Sequence, residues 1–105
     1  MTDMNRMQFE QKIQEDQPLL VEFWAPWCVY CRRITPALDR ISQQYAGQLL
    51  VSRINIDEEP ALAGQEQIEV VPTLILYRKG QAQGSIVAPE SKAKIEEFIR
   101  ETLEF

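Results

Sequence analysis

The chain has 105 residues, of which 45% are hydrophobic and 26% charged, and its formal net charge is −5. These values fit one globular domain and exclude global disorder. The chain is acidic and its runs of Lys and Arg never exceed two residues, so no basic surface for nucleic acid is evident. No apolar run approaches the roughly 20 residues of a membrane-spanning helix, and no secretory signal is visible. We therefore expect one domain over residues 1–105, in the cytoplasm, without nucleic-acid or membrane partners.

The first half of the chain predicts a strand between two helices. Residues 4–14 favour a helix of weak periodicity, and Leu19–Trp24 is a nearly continuous apolar run typical of a short buried strand. Apolar residues then recur at helical spacing over residues 34–45, and Gly47 ends this second helix. Pro36 lies inside it and is expected to kink it, because proline removes a backbone donor.

The second half predicts alternating strands and helices followed by a hairpin. Residues 49–57 favour a strand, and residues 60–67 favour a short helix that opens with a proline. Residues 73–77 and 82–87 favour two strands joined by a tight turn, and residues 91–103 favour a last amphipathic helix. This order is typical of an α/β fold with a mixed sheet and helices on both faces.

Cys28 and Cys31 are the only cysteines, and they lie between the first strand and the second helix. The N–H groups and dipole of a helix N-terminus stabilise a thiolate, which is the species that attacks a disulfide. Cys31 follows one helical turn later, where it can attack the mixed disulfide that Cys28 forms. The spacing therefore indicates redox chemistry, with Cys28 exposed and Cys31 shielded.

Three other interpretations of this pair stay open. A structural disulfide would close a loop of about four residues and contribute only about 2 kcal/mol. A tetrahedral zinc site needs four ligands, whereas the chain has two cysteines and no histidine, so a metal or iron–sulfur site would have to be shared between two chains. The cysteines could also be inert thiols on a binding scaffold.

The residues around the cysteines resemble the thioredoxin family. The run from Phe23 to Cys31, Phe-Trp-Ala-Pro-Trp-Cys-Val-Tyr-Cys, is similar to the family's active-site segment. The triplet Val71–Thr73 resembles its second signature, in which the proline is cis and packs beside the disulfide. The resemblance covers residues 19–105 and implies a thioredoxin fold, with a central mixed sheet of about four strands flanked by helices on both faces. The family's N-terminal strand is expected to be truncated or absent here.

The resemblance implies a catalytic role for four residues. Cys28 matches the nucleophile, Cys31 matches the resolving thiol, and Glu22 matches the buried acid that helps to deprotonate the resolving thiol. Arg53 matches a lysine near that acid, and because arginine keeps its proton it should oppose a rise in the pKa of Glu22. The structural alternatives are an inward-leaning charge at Glu22 and a solvated arginine at the strand edge. Trp24 is expected to be core packing.

The same resemblance implies a substrate-binding surface beside the cysteines. A cis bond at Pro72 would expose the backbone of Val71 for antiparallel pairing with an extended substrate segment. Trp27 is expected to belong to this surface, and Tyr30 to add to substrate contact or partner preference. Ala88 stands where the family tends to have a glycine, and its methyl group should tighten the approach of substrate.

These features predict a thiol–disulfide oxidoreductase that reduces protein disulfides through a mixed disulfide. We expect a monomer that an external reductase regenerates, with no cofactor of its own, because the chain has no G-x-G-x-x-G motif for a dinucleotide. The dipeptide between the cysteines carries no positive charge, which favours a reduction potential on the order of −270 to −200 mV. The alternatives are a thioredoxin-like binding or adaptor module with incidental cysteines, and a dimeric metal or iron–sulfur protein that shares cysteine ligands.

Overall fold

In the computed structural model, which describes residues 1–104, strands and helices alternate along the chain. The elements are β1 (Thr2–Asp3), α1 (Arg6–Lys12), β2 (Leu19–Trp24), α2 (Val29–Gln44), β3 (Leu50–Asn55), α3 (Pro60–Gln65), β4 (Thr73–Arg78), β5 (Gln81–Val87) and α4 (Lys92–Leu103). Within this range, no helix is long and apolar enough to cross a lipid bilayer.

The strands form one mixed sheet in the order β1-β3-β2-β4-β5. Strands β1, β3 and β2 are parallel, whereas β4 is antiparallel to both β2 and β5. Strand β2 is therefore paired along both edges, and its first five residues are buried. Its chain leaves the sheet at Trp24 and reaches α2 after a turn of four residues, 25–28.

Two apolar layers cover the sheet. Successive side chains of a strand point to opposite faces, so Leu20 packs in one layer and Leu19 and Val21 pack in the other. The Leu20 layer is covered by α2 and α4, through Ile34, Leu38, Ile41, Ile95, Phe98 and Ile99. The opposite layer is covered by α1 and α3, through Phe9 and Leu62. Helices lie on both faces, as the order of elements predicts.

Local signals explain where the helices begin. Asn5 accepts a hydrogen bond from the Gln8 amide, and the Gln8 side chain accepts one from the Asn5 amide, so this capping box fixes the start of α1. The Ser91 hydroxyl caps α4 by accepting a hydrogen bond from the Lys94 amide. These caps satisfy amides that have no partner inside the helix.

The predicted elements are present, with two differences. Helix α2 begins at Val29, before the apolar periodicity that starts at Ile34, because only Cys31 is buried among the helical residues that precede Ile34. The N-terminal strand is truncated, as expected, to the two-residue β1, but it pairs with β3 through Thr2 and Asp3 and so gives the sheet five strands where about four were expected. Pro36 lies inside α2, and the kink expected there stays a prediction. The end of the last segment, Phe105, lies outside the described residues.

Candidate active site

Cys28 and Cys31 form a disulfide at the N-terminus of α2, with their Cα atoms 5.3 Å apart. Cys28 is the N-cap residue, and its amide donates to the Ala25 carbonyl over 3.1 Å, which closes the turn after β2. The Cys28 sulfur accepts a hydrogen bond from the Cys31 amide, also over 3.1 Å. An amide of the first helical turn thus points at the sulfur where a thiolate would carry its charge.

Cys28 is less exposed than the sequence predicts. Its relative exposure is 7%, against 0% for Cys31, so the order is as expected but the first cysteine is nearly buried. The two cysteines pack with Ala25, and Trp24, Tyr30, Ile56 and Val71 surround that group. The expectation of an exposed Cys28 is wrong in degree, because these side chains pack around the cysteine pair.

Glu22 is fully buried, and neither of its carboxylate oxygens has a hydrogen-bond partner. Burial raises the pKa of Glu22 from 4.5 to about 7, because the ionised form loses its hydration. The positive charge of Arg53, whose Nε lies 3.5 Å from Glu22 Oε1, acts in the opposite direction. Asp3 and Asp39 raise the pKa further by repulsion. Burial outweighs the attraction to Arg53.

Arg53 is shared between two carboxylates and an aromatic ring. Sheet register places Asp3 and Glu22 on either side of it, in β1 and β2. Its Nε lies 3.7 Å from Asp3 Oδ1, and its guanidinium carbon lies 3.8 Å from the ring centroid of Trp24. The contact at Asp3 was missed from the sequence, because only the pairing of β1 with β3 reveals it. Trp24 packs against the cysteine group as expected, and it also supports this cation.

An apolar surface borders the cysteines. Trp27 is 65% exposed, Val29 and Val70 are also largely exposed, and Val71 is partly exposed while packing against the cysteine group. The Trp27 indole nitrogen donates to Asp57 Oδ1 over 3.4 Å, which orients the ring. Exposed large apolar side chains that lie together are typical of an interaction surface.

Two hydrogen bonds connect the segment after β5 to this surface. The Val71–Pro72 peptide bond is cis, and the Pro72 carbonyl accepts a hydrogen bond from the Ala88 amide over 2.9 Å. The Tyr30 hydroxyl donates to the Pro89 carbonyl over 2.7 Å. Tyr30 is half-buried and its hydroxyl is already bonded, and the substrate contact expected of it stays a prediction.

The predicted site residues form three groups. One group is the cysteine pair, against which Tyr30 and Val71 pack. The second is the ion pair of Glu22 with Arg53, and the third is the backbone hydrogen bond between Pro72 and Ala88. Trp27 is exposed beside the cysteines. Glu22 makes no hydrogen bond to either sulfur. Over residues 1–104, no group of three or more His, Cys, Asp or Glu side chains is placed to hold a metal ion. A pair of cysteines that forms a disulfide at a helix N-terminus is typical of sites that exchange disulfides.

Comparison with known proteins agrees with this chemistry. The thioredoxin family model matches residues 1–101. Thioredoxin 1 of Nostoc sp. is 38% identical over 96 residues, which are 90% of this chain and 90% of that protein. Thioredoxin 1 of Synechococcus elongatus is 41% identical over 88 residues, or 83% of this chain and 82% of that protein. The thioredoxin of Alicyclobacillus acidocaldarius is 36% identical over 104 residues, or 99% of this chain and 96% of that protein. The chain belongs to the thioredoxin family.

The burial of Glu22 predicts that stability falls as pH rises. Its pKa is 4.5 when hydrated and about 7 when folded, so the native state holds the proton more tightly between these values. The resulting loss is on the order of 3 kcal/mol and is complete above about pH 8. In Glu22→Gln this loss should disappear, as measured by denaturant unfolding of the oxidised protein across this pH range.

Glu58→Gln is the matched control, because it removes the same charge from an exposed position. It should keep the pH dependence of the unmodified chain. An unfolding free energy that depends on pH equally in Glu22→Gln and in the unmodified chain would contradict the burial argument.

The two neighbours of Glu22 should move its titration in opposite directions. Asp3→Asn removes a repelling charge and a competitor for Arg53, so the pKa of Glu22 should fall. Arg53→Gln removes the attracting charge, so the pKa should rise. Carboxyl carbon shifts of Glu22, followed by NMR against pH, measure both changes. Shifts of the same sign in the two variants would rule out this arrangement.

Proposed function

We propose that this chain reduces protein disulfides by dithiol exchange at Cys28 and Cys31, as a thioredoxin-type protein-disulfide reductase. The observation that carries the proposal is the disulfide pair at the start of α2, where the Cys31 amide bonds the Cys28 sulfur. Membership of the thioredoxin family supports the same activity and does not favour an adaptor or a shared metal site.

The exchange proceeds in two balanced steps. The Cys28 thiolate attacks one sulfur of the substrate disulfide, so that bond breaks, a mixed disulfide forms and one substrate thiolate leaves. Cys31, once deprotonated, attacks the Cys28 sulfur, and the second substrate thiolate leaves and takes up a proton. Two electrons pass from the dithiol to the substrate. The chain ends as the Cys28–Cys31 disulfide, and an external reductase returns two electrons to it.

Glu22 is the residue that we propose to accept the proton of Cys31. Leu20 and Glu22 are two residues apart on β2 and share a face, and Leu20 packs in the layer that α2 covers. Glu22 therefore lies under the helix that carries Cys31. A pKa of about 7 leaves a carboxyl group able to take and release a proton near neutral pH. Arg53 keeps that pKa from rising further.

The apolar surface beside the disulfide is the proposed docking site for substrate. An extended segment would pair with the backbone of Val71, next to Pro72, while its side chains contact Trp27 on one side and Ala88 on the other. The exposure of Trp27 and the partial exposure of Val71 support this placement. Cys28 is 7% exposed and Val71 packs against the cysteine group, so we propose that the substrate sulfur approaches along this surface.

We further propose that the protein acts as a monomer in the cytoplasm, without a cofactor of its own. Its partners would be disulfide-containing proteins and the external reductase, with no nucleic acid or membrane involved. The net charge of −5 supports the exclusion of nucleic acid, because phosphate contacts require a basic surface.

Cys31→Ser tests the proposed mechanism. Without the resolving thiol, reduced Cys28 should form mixed disulfides that persist, and these should be recovered after alkylation and non-reducing electrophoresis. Cys28→Ser is the matched control and should trap no substrate above background. Equal trapping by the two variants, or none by Cys31→Ser, would contradict the assignment of nucleophile and resolving thiol.

A further inference from the structure

Tyr30 connects the active-site helix to the segment between β5 and α4. It is the second residue of α2 and lies between the two cysteines. Its ring packs against both the cysteine group and the layer beneath α2 and α4, and its hydroxyl donates to the Pro89 carbonyl over 2.7 Å. Val29, the other residue between the cysteines, is largely exposed. Only Tyr30 of this pair therefore reaches inward.

The segment that Tyr30 holds is strained. Ala88 has a φ of 45°, in the left-handed region that favours glycine. This region is unfavourable for a residue with a side chain, and such a conformation persists only where surrounding contacts enforce it. Two hydrogen bonds do so here, from the Ala88 amide to Pro72 and from the Tyr30 hydroxyl to Pro89. One fixes the segment to the start of β4, and the other fixes it to α2.

We propose that Tyr30 is a positioning residue for protein substrates, which holds Ala88 at a fixed distance from Val71 and so sets the width of the docking surface. This inference rests on the proposed function and names a determinant of its specificity. The chemistry of exchange stays with Cys28 and Cys31, and the hydroxyl acts through the position of Ala88. Protein substrates that contact both Val71 and Ala88 therefore depend on Tyr30. Small disulfides that contact only the Cys28 sulfur do not.

Tyr30→Phe keeps the ring and removes only the hydroxyl. For a protein disulfide such as insulin, KM should rise by about threefold to tenfold with kcat unchanged, the size expected for the loss of one hydrogen bond. The rate with a small aromatic disulfide, dithiobis-nitrobenzoate, should stay the same. In the oxidised protein without substrate, amide exchange at Ala88 should accelerate by a similar factor, about threefold to tenfold.

Tyr77→Phe is the matched control. It removes a comparable phenol hydrogen bond, from the Tyr77 hydroxyl to Glu66 Oε1 over 2.6 Å. Tyr77 pairs with Leu19, at the end of β2 remote from the cysteines. This variant should lose stability. The ratio of its reduction rates with insulin and with dithiobis-nitrobenzoate, and the amide exchange rate at Ala88, should stay unchanged.

Three results would overturn the inference: unchanged Ala88 exchange in Tyr30→Phe, equal slowing of both disulfides, or the same pattern in Tyr77→Phe. The exchange measurement involves no substrate, so it separates this inference from the proposed function. If the unmodified chain does not reduce insulin, the proposed function fails, and Ala88 exchange still reports whether Tyr30 holds the segment.

Discussion

The site depends on one buried strand. Strand β2 is paired with β3 along one edge and with β4 along the other, so its course is fixed throughout its length. Because it ends at Trp24, the turn that follows places Cys28 at the N-cap position of α2, where its sulfur accepts a hydrogen bond from the Cys31 amide. The same strand carries Glu22 on the face of Leu20, which packs in the layer covered by α2. A single element thus places the disulfide and the buried carboxyl group relative to each other.

The buried carboxylate of Glu22 on that strand lowers the stability of the folded state. Glu22 has no hydrogen bond, and burial raises its pKa to about 7 although Arg53 lies 3.5 Å away. Arg53 compensates incompletely because it also contacts Asp3 and the ring of Trp24. A hydrophobic residue would fit this strand better. A buried carboxyl group that titrates near neutral pH is instead typical of proton transfer, and this cost in stability accompanies the proposed chemistry.

The sequence predicts the elements better than the contacts between them. Apolar runs located β2 and β4 closely, because burial on both faces leaves a continuous hydrophobic signal. Apolar periodicity marks α2 only from Ile34 onward, because the helical residues before it are exposed or half-buried apart from Cys31. The pairing of Asp3 with Arg53 and the bond from Tyr30 to Pro89 join residues 50 and 59 positions apart, and no local pattern encodes them. The nearly buried Cys28 likewise results from packing by distant residues such as Val71.

Whether the Cys28–Cys31 pair acts as a disulfide reductase can be decided from its reduction potential. The protein would be equilibrated in dithiol–disulfide buffers, and the fluorescence of Trp24 and Trp27 would report the oxidised fraction. We expect a two-electron transition on the order of −270 to −200 mV, the range of dithiols that reduce accessible protein disulfides. A potential above about −180 mV would mark the pair as an oxidant or isomerase and would contradict a disulfide reductase.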